Sequence, residues 1–332
     1  MSVLRKCIFG ILVVSVCAVV LLVFLAQKKV PEKIQYGMSF SVMYAEELGL
    51  NWKETYNALL DELGVRHLRL VAYWPMIEPI NNVYNFKELD YQIQKAEEVN
   101  ADVVLAVGRR LPRWPECHIP SWVKEKTEVE KQEELLEYIS VVVNRYKESD
   151  VIVYWQIENE PYLEVFAKEH CGEFDKNFFE KEVAYFRSLD NSRPFLITDS
   201  GNLGTWAGPY KHGDAFGTSV YVHFWNPELG QFRTILPPWF YRVKENVLKY
   251  IYGEKETMLI ELSLEPWLLQ PIAEVPIKIQ YSRMDSAKFN DIIEYAKNTR
   301  YQKQYLWGGE WWYWLKLQGN TEMWEKGREL FK

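Results

Sequence analysis

The sequence predicts a single (β/α)8 barrel preceded by an N-terminal transmembrane helix. Three observations favour this fold class: a long uncharged apolar run near the N-terminus, eight strand-like runs that alternate with helical patterns, and the absence of a Gly-rich dinucleotide or phosphate loop. A doubly wound open sheet is the alternative, and the lack of such a loop weakens it.

The apolar run covers residues 7–26 and carries no charge. A helix of this length, at about 1.5 Å per residue, matches a bilayer core about 30 Å thick. A cleaved signal usually has a shorter apolar region, and Phe24 and Ala26 make a poor cleavage site. We therefore predict an uncleaved anchor, with cleavage and secretion as the alternative. Residues 1–6 would be cytoplasmic, and residues 27–35 would be a polar linker.

Composition narrows the function classes. The formal net charge of −7 and the lack of a basic stripe argue against a phosphate-binding surface, so we expect no nucleic-acid partner. The aromatic content is high, with 14 Trp, 21 Tyr and 16 Phe. Aromatic faces suit the C–H faces of sugar rings, although most of these residues will pack in the core. No repeat or interior linker divides residues 36–332, so we expect one domain. We also expect a monomer.

Eight short apolar runs are the predicted strands. They are almost continuously apolar rather than strictly alternating, which is typical of parallel strands that are covered on both faces. The runs begin at residues 36, 65, 101, 151, 194, 217, 257 and 305, and the last extends to residue 312.

Amphipathic stretches separate these runs and predict helices. The first opens on Asn51, a favourable N-cap, and ends at Gly64, a favourable helix stop. The second places Leu89, Ile93 and Ala96 on one side. The stretch after the fifth run is too short and Gly/Pro-rich for a long helix. Further helices are predicted over residues 128–148, 175–191, 238–253, 285–300 and 321–331.

Carboxylates stand where a barrel would place its active residues, at the C-terminal ends of the strands. The fourth run ends with Glu158, Asn159 and Glu160, and the seventh ends with Glu261. Strands four and seven face each other across the mouth of an eight-stranded barrel. Two carboxyl groups about 5–5.5 Å apart suit retaining glycoside hydrolysis, and a separation of about 6.5–9.5 Å suits inversion. A glutamate taken singly would more often be a solvated strand end.

The order of these residues resembles a known group of enzymes. Asn159-Glu160-Pro161 after an apolar strand, with Glu261 ending a later strand, resembles the clan A glycoside hydrolases. These are cellulase-like and β-galactosidase-like retaining enzymes on (β/α)8 barrels. Asn-Glu-Pro alone is a weak match.

The likeness covers most of the chain beyond the linker. Arg69 in the second run is similar to the arginine of that strand in the clan, a Trp-x-x-x-Glu-Pro loop follows it, and Tyr221 closes the sixth run. Tryptophans close the eighth run, at Trp307, Trp311 and Trp312. In this strand order the resemblance is strong, and the family within the clan stays open.

The resemblance implies roles for individual residues. Glu160 would be the acid/base, with a pKa raised by an apolar pocket and a nearby carboxylate, and Glu261 would be the nucleophile. Arg69 and the hydroxyl of Tyr221 would keep Glu261 ionised, although Arg69 could instead form a structural ion pair at the rim. Asn159 would hydrogen-bond the sugar 2-hydroxyl, or else cap the strand end.

Further residues are predicted to bind substrate. Trp311 is the chosen platform under the sugar, with Trp307 or Trp312 as alternatives if the strand register shifts by one residue. The loops at the mouth add Trp74, His118 and Trp267, and the loop after the third run also supplies Glu116 as a polar group.

Glu158 and Glu265 are rival carboxylates. The two-residue period of a strand puts Glu158 on the same side as Glu160 but lower in the barrel, so we predict a buried, hydrogen-bonded role for Glu158. Glu265 lies in the loop beyond the seventh strand, where it would contact substrate or support the rim. Residues 262–284 would shape one wall of the cleft.

Two cysteines follow the apolar run, Cys117 in the third strand–helix loop and Cys171 in the fourth. These loops are neighbours in a barrel, so we predict a disulfide, with two free thiols as the alternative. A disulfide needs an oxidising compartment, and polymeric sugars are usually met outside the cell. The barrel is therefore placed on the extracytoplasmic side of the cell membrane. Glu116 and His118 flank Cys117 without a second ligand pair, so no metal or other cofactor is predicted.

These inferences predict a membrane-anchored retaining glycosidase that cleaves β-glycosidic bonds in an oligo- or polysaccharide. A transglycosylase would use the same residues, with a sugar hydroxyl in place of water. The sequence is also compatible with a carbohydrate-binding protein without turnover, and with a structural barrel whose glutamates only end strands. The sugar, the linkage and the exo or endo mode stay open.

Overall fold

Eight parallel strands close into a barrel in the computed structural model, which describes residues 2–25 and 30–332. The described residues form these strands: β1 (Gln35–Ser39), β2 (His67–Val71), β3 (Asp102–Val107), β4 (Ile152–Ile157), β5 (Phe195–Asp199), β6 (Ala215–Val220), β7 (His223–Asn226), β8 (Gly230–Arg233), β9 (Glu256–Ser263) and β10 (Lys303–Trp307).

Helices connect the strands and cover the outside of the barrel. In the described part of the chain, short 3-10 helices lie at Ser121–Val123 and Ile272–Glu274. The α-helices of the described residues are α1 (Ser2–Leu25), α2 (Val42–Glu47), α3 (Trp52–Asp61), α4 (Trp74–Ile77), α5 (Lys87–Glu98), α6 (Glu128–Tyr146), α7 (Glu164–Cys171), α8 (Lys176–Leu189), α9 (Ala207–His212), α10 (Trp239–Tyr252), α11 (Ile277–Arg283), α12 (Ser286–Thr299), α13 (Gly309–Leu317) and α14 (Glu322–Leu330).

The barrel strands follow one another around the ring in the order β1-β2-β3-β4-β5-β6-β9-β10, and β10 pairs again with β1. Neighbouring barrel strands are parallel. The predicted (β/α)8 barrel is confirmed, and each of the predicted runs overlaps a barrel strand. The antiparallel hairpin of β7 and β8 was not predicted, because its first residues continue the sixth apolar run.

The eighth strand is shorter than predicted. β10 ends at Trp307 and α13 begins at Gly309, whereas the sequence predicted a strand up to residue 312. Gly308 makes the break: its φ is +116°, and a Cβ there would lie 2.8 Å from the backbone oxygen of Leu264. The prediction was wrong because an aromatic run fits a strand or a buried helix equally well.

The predicted helices form with their expected signals. Asn51 accepts the backbone N–H of Lys53 at 3.1 Å and so caps α3. Thr127 and Glu130 form a capping box at the start of α6. The buried face of α5 contains the predicted apolar residues, Leu89, Ile93 and Ala96.

Strand side chains fill the inside of the barrel. Burying one large apolar side chain contributes about 1.5–3 kcal/mol, so these inner side chains stabilise the fold and exclude water below the polar strand ends. The inner cluster consists of Val104, Tyr154, Leu196, Ala215, Met258, Ile260 and Tyr305.

The N-terminal helix α1 overlaps the predicted anchor at residues 7–26. Within the described part of the chain, no helix is both long and apolar enough to cross a membrane. The side chains of residues 2–4 and 21–25, and all of residues 1 and 26–29, lie outside that part. They include pieces of the predicted cytoplasmic segment, anchor and linker, so the anchor stays a prediction.

Candidate active site

A buried arginine, Arg69 of β2, lies inside the barrel mouth and joins two other strands. Its Nη1 donates to Glu261 Oε1 of β9 at 2.7 Å, and its Nη2 donates to Asn159 Oδ1 beyond β4 at 2.7 Å. Its Nε donates to Gln156 Oε1 at 2.8 Å. A guanidinium presents its donors in a rigid planar fork, so these contacts fix Glu261 and Asn159 relative to each other.

Glu261 receives a second donor from the next strand. The hydroxyl of Tyr221, directly after β6, donates to Glu261 Oε2 at 3.1 Å. Burial and then the charge of Glu261 hold the pKa of Tyr221 well above its ordinary value, so the phenol keeps its proton and stays a donor. Because ionised carboxylate oxygens can only accept hydrogen bonds, the donors of Arg69 and Tyr221 suit the ionised form of Glu261.

Glu160, just beyond β4, has the opposite environment. Burial raises the pKa of its carboxyl group well above the ordinary value, and the negative charges of Glu261 and Glu116 raise it further. Its Oε1 is buried without a hydrogen-bond partner among the described residues, and its backbone N–H donates to the hydroxyl of Thr198 at 2.9 Å. Glu160 therefore keeps its proton to a higher pH than a solvated glutamate does.

Glu158 supports the end of β4. Its carboxylate accepts the backbone N–H groups of Arg109 at 2.9 Å and of Arg110 at 2.5 Å. Gly108 allows this contact, because a Cβ there would lie 2.6 Å from the Glu158 carboxyl group. The predicted buried, hydrogen-bonded role of Glu158 is confirmed. Glu158 and Glu160 have left-handed φ angles of 57° and 44°, and strain of about 1–3 kcal/mol per residue is typical of functional sites.

The loop after β3, residues 108–118 and called loop 3 below, is pinned beside the mouth. Cys117 forms a disulfide with Cys171 at the end of α7, with Cα atoms 5.4 Å apart, which confirms the predicted pair. Inside the loop, His118 Nε2 lies 3.0 Å from the backbone oxygen of Arg113. His118 is thus buried in loop 3 and holds its backbone.

Loop 3 also brings a third carboxyl group to the site. Burial, followed by the charge of Glu261, raises the pKa of Glu116 to about 7. Glu116 Oε2 is buried with no hydrogen-bond partner in the described part of the chain. The mouth therefore combines one carboxylate that accepts from two donors with two carboxyl groups whose pKa values are raised. Such a set can transfer a proton and attack an electrophilic carbon.

Comparison with known proteins identifies the family. The sequence model of glycoside hydrolase family 42, described as beta-galactosidase, matches residues 47–311. The chain belongs to this family. The resemblance to the clan A glycoside hydrolases is confirmed by this match.

One curated relative of this family 42 chain is distantly similar to it. It is 25% identical over 170 residues to β-galactosidase BgaA of Clostridium cellulovorans, covering 46% of this chain and 25% of that protein. The chain thus spans about a quarter of the length of this curated relative.

Two solved structures are similar in fold. A variant of GH5_18 from Bifidobacterium longum subsp. longum, in complex with Manβ1-4GlcNAc, has a TM-score of 0.56 at 13% identity, covering 82% of this chain and 68% of that chain. The β-galactosidase of Bacillus circulans sp. alkalophilus has a TM-score of 0.54 at 14% identity, covering 85% of this chain and 51% of that chain. At these identities the likeness shows the fold alone.

Three residues that were predicted to bind substrate do not face the mouth of this family 42 barrel. Trp311 is fully buried in α13, where its Nε1 donates to Gln280 Oε1 at 2.7 Å. Trp74 is fully buried in α4, where its Nε1 donates to Glu78 Oε2 at 2.7 Å. Trp74 was predicted in a loop and Trp311 in a strand, but each lies in a helix that turns its indole into the core. The third is His118, which is enclosed in loop 3.

Trp307 occupies the position that was expected of Trp311. It ends β10 and is 5% exposed, and the guanidinium carbon of Arg69 lies 5.9 Å from its ring centroid. Its Nε1 is buried without a partner among the described residues. Trp267 lies edge-on to Tyr221, with ring centroids 5.4 Å apart, and so lies beside the site.

Arg113 and Glu310 were not predicted from the sequence, and Glu116 was predicted only as a polar group at the mouth. Arg113 and Glu116 follow a barrel strand, and this position is the signal that could have singled them out. Glu310 Oε1 accepts the backbone N–H of Ser41 at 2.7 Å, and burial raises the pKa of Glu310 to about 7.

Within residues 2–25 and 30–332, no group of three or more His, Cys, Asp or Glu could hold a metal ion. The carboxyl groups of the mouth are instead paired with arginine and tyrosine donors or surrounded by buried side chains.

Gly108→Ala tests the support beneath the site. The new Cβ would collide with the Glu158 carboxyl group at a φ of +147°, so we expect the free energy of unfolding to fall by about 2–4 kcal/mol, from backbone strain and lost hydrogen bonds together. Gly319→Ala is the matched control, since Gly319 has a φ of +84° with open space around it. Urea denaturation measures both variants, and equal losses would contradict the proposed contact.

Proposed function

We propose that this chain is a retaining glycoside hydrolase that cleaves β-glycosidic bonds by double displacement, with Glu261 as nucleophile and Glu160 as acid/base. The proposal is supported mainly by the different surroundings of these two carboxyl groups. Arg69 and Tyr221 both donate to Glu261, while burial and the charge of Glu261 raise the pKa of Glu160. A pair of carboxyl groups with opposite environments is the arrangement that supplies one nucleophile and one acid. Membership of family 42 supports the same assignment.

In the proposed first step, Glu261 attacks the anomeric carbon while Glu160 gives its proton to the leaving oxygen. This forms a covalent glycosyl-enzyme. In the second step Glu160 takes a proton from water, and that water displaces Glu261. Asn159, held by Arg69, would bind the sugar 2-hydroxyl, and Trp307 would stack against the sugar ring. A sugar hydroxyl in place of water would give transglycosylation.

A β-galactoside is the first substrate to test. The matching family is described as beta-galactosidase, and so is the curated relative BgaA.

We also propose that residues 7–26 tether the barrel to the outer side of the cell membrane. The uncharged apolar run and the Cys117–Cys171 disulfide support this location. In intact cells that express the full chain, added protease should remove the barrel, and a carbonate wash should leave the chain with the membrane. Protection from protease would contradict the orientation, and release by the wash would contradict the tether.

Glu160→Gln and Glu261→Gln test the mechanism. Each should lower kcat on an aryl β-galactoside by roughly 10²–10⁴-fold, because each removes a group that acts in the transition state. Thermal unfolding should show that the variants remain folded, and the exposed Glu164→Gln is the matched control. A rate like that of the unsubstituted chain in either variant would exclude that residue from the mechanism.

Azide separates the two roles. With Glu261→Gly, azide attacks the substrate directly and should give the α-glycosyl azide. With Glu160→Ala, azide attacks the glycosyl-enzyme and should give the β-glycosyl azide. Nuclear magnetic resonance of the products distinguishes the anomers, and the reverse pattern would exchange the assignments.

The pH profile of kcat/KM tests the protonation of Glu160. Activity needs the protonated acid, so it should fall as pH rises through the raised pKa of Glu160. With a pKa of about 7, Glu116 is charged above about pH 7, and its charge helps to raise the pKa of Glu160. Glu116→Gln removes this charge and should move the alkaline limb to lower pH. The exposed Glu173→Gln should leave the limb in place, and an unmoved limb in Glu116→Gln would contradict this coupling.

A further inference from the structure

Arg113 of loop 3 reaches across the mouth and lies between two aromatic rings. Its guanidinium carbon is 3.6 Å from the ring centroid of Tyr44 and 4.2 Å from that of Trp307. At these distances cation–π attraction holds the guanidinium on the rings. Arg113 therefore covers the indole that is proposed above as the sugar platform.

Two carboxylates hold the same guanidinium. Both η nitrogens of Arg113 contact the carboxylate of Glu265 in the segment after β9, and Nη2 lies 3.2 Å from Glu265 Oε2. Glu310 Oε2 lies 3.6 Å from the same Nη2. The Arg113 side chain is 15% exposed, so solvent screens these ion pairs only in part. The contacts join loop 3 to the segments after β9 and β10.

The backbone around Arg113 is held separately from its side chain. The backbone oxygen of Arg113 accepts the N–H of Glu116 at 2.7 Å, and the oxygen of Pro112 accepts the hydroxyl of Tyr73 at 3.0 Å. The Cys117 disulfide fixes the end of the loop. The part that can move with least disturbance is the long, unbranched Arg113 side chain.

A sugar on Trp307 would need the groups that Arg113 uses. Its C–H face would stack on the Trp307 ring, and its hydroxyls would donate to carboxylates such as Glu265 and Glu310. A guanidinium 4.2 Å from the ring centroid already fills that contact layer. We propose that Arg113 is a gate that closes the site in the sugar-free enzyme, and that a sugar opens it by displacing the guanidinium from Trp307. The inference rests on the proposed function in taking Trp307 as the sugar platform.

A closed gate lowers the apparent affinity, because only the open fraction of the enzyme binds sugar. If the closed state is favoured about tenfold, removing the guanidinium should lower KM by about the same factor. The value of kcat should change little, because Arg113 pairs with Glu265 and Glu310 and not with the groups that are proposed to react.

Oxidation of tryptophan by N-bromosuccinimide tests the gate without any substrate. Trp307 is 5% exposed and Trp114, at the tip of the same loop, is 69% exposed. Peptide mass spectrometry should show Trp307 oxidised about tenfold faster in Arg113→Ala than in the unsubstituted chain, if the closed state is favoured about tenfold. Trp114 should be oxidised equally in both. An unchanged rate at Trp307 would overturn the gate.

Two further variants distinguish loss of the Arg113 contact from a general folding defect. Glu265→Gln keeps Arg113 but weakens its ion pair, so Trp307 should be oxidised faster, though less so than in Arg113→Ala. Arg109→Ala is the matched control, because the Arg109 side chain pairs with Glu128 in another direction, and its Trp307 should stay protected. Equal oxidation in all the variants would show general loosening and would overturn the gate.

Kinetics on an aryl β-galactoside give the second readout. Arg113→Ala should lower KM about tenfold at a similar kcat. A raised KM would mean that Arg113 binds the sugar directly and would overturn the gate. If the unsubstituted chain hydrolyses no glycoside, the proposed function fails, and the oxidation of Trp307 still decides whether Arg113 covers the ring.

Discussion

The buried guanidinium of Arg69 is the interaction on which the site depends. A charge taken out of water is costly unless it is paired and hydrogen-bonded, and here partners from β4 and β9 satisfy it. The partners are also the residues that must be held in place, Glu261 and Asn159. The same contacts that make burial of Arg69 tolerable thus set the geometry of the mouth.

This arrangement separates the properties of two carboxyl groups at the mouth. Glu261 accepts from Arg69 and Tyr221, whereas Glu160 is buried within reach of the charge of Glu261 and keeps its proton. Glu158, at the strained end of β4, accepts hydrogen bonds from the backbone N–H groups of Arg109 and Arg110 and so fixes loop 3 to that strand end. Loop 3 is therefore part of the site.

Much of the fold and part of the site could be predicted from the sequence. Long apolar runs and cap residues report local preferences, and the strand ends placed Glu160 and Glu261 at one mouth. Trp311 was expected at the mouth but is buried in α13, because Gly308 ends β10 early and periodicity does not distinguish an aromatic strand from a buried helix. Arg113 was missed because its partners come from three distant segments, and such contacts are set by the tertiary structure alone.

Trapping the covalent intermediate would test this mechanism at its decisive step. A 2-deoxy-2-fluoro-β-galactoside with a good leaving group slows both steps, and slows the second enough for a glycosyl-enzyme to accumulate. Mass spectrometry of the intact chain and of its peptides should find one fluorosugar, attached to Glu261. A label on another carboxylate, or rapid turnover with no label on Glu261, would show that Arg69 does not present Glu261 as the nucleophile.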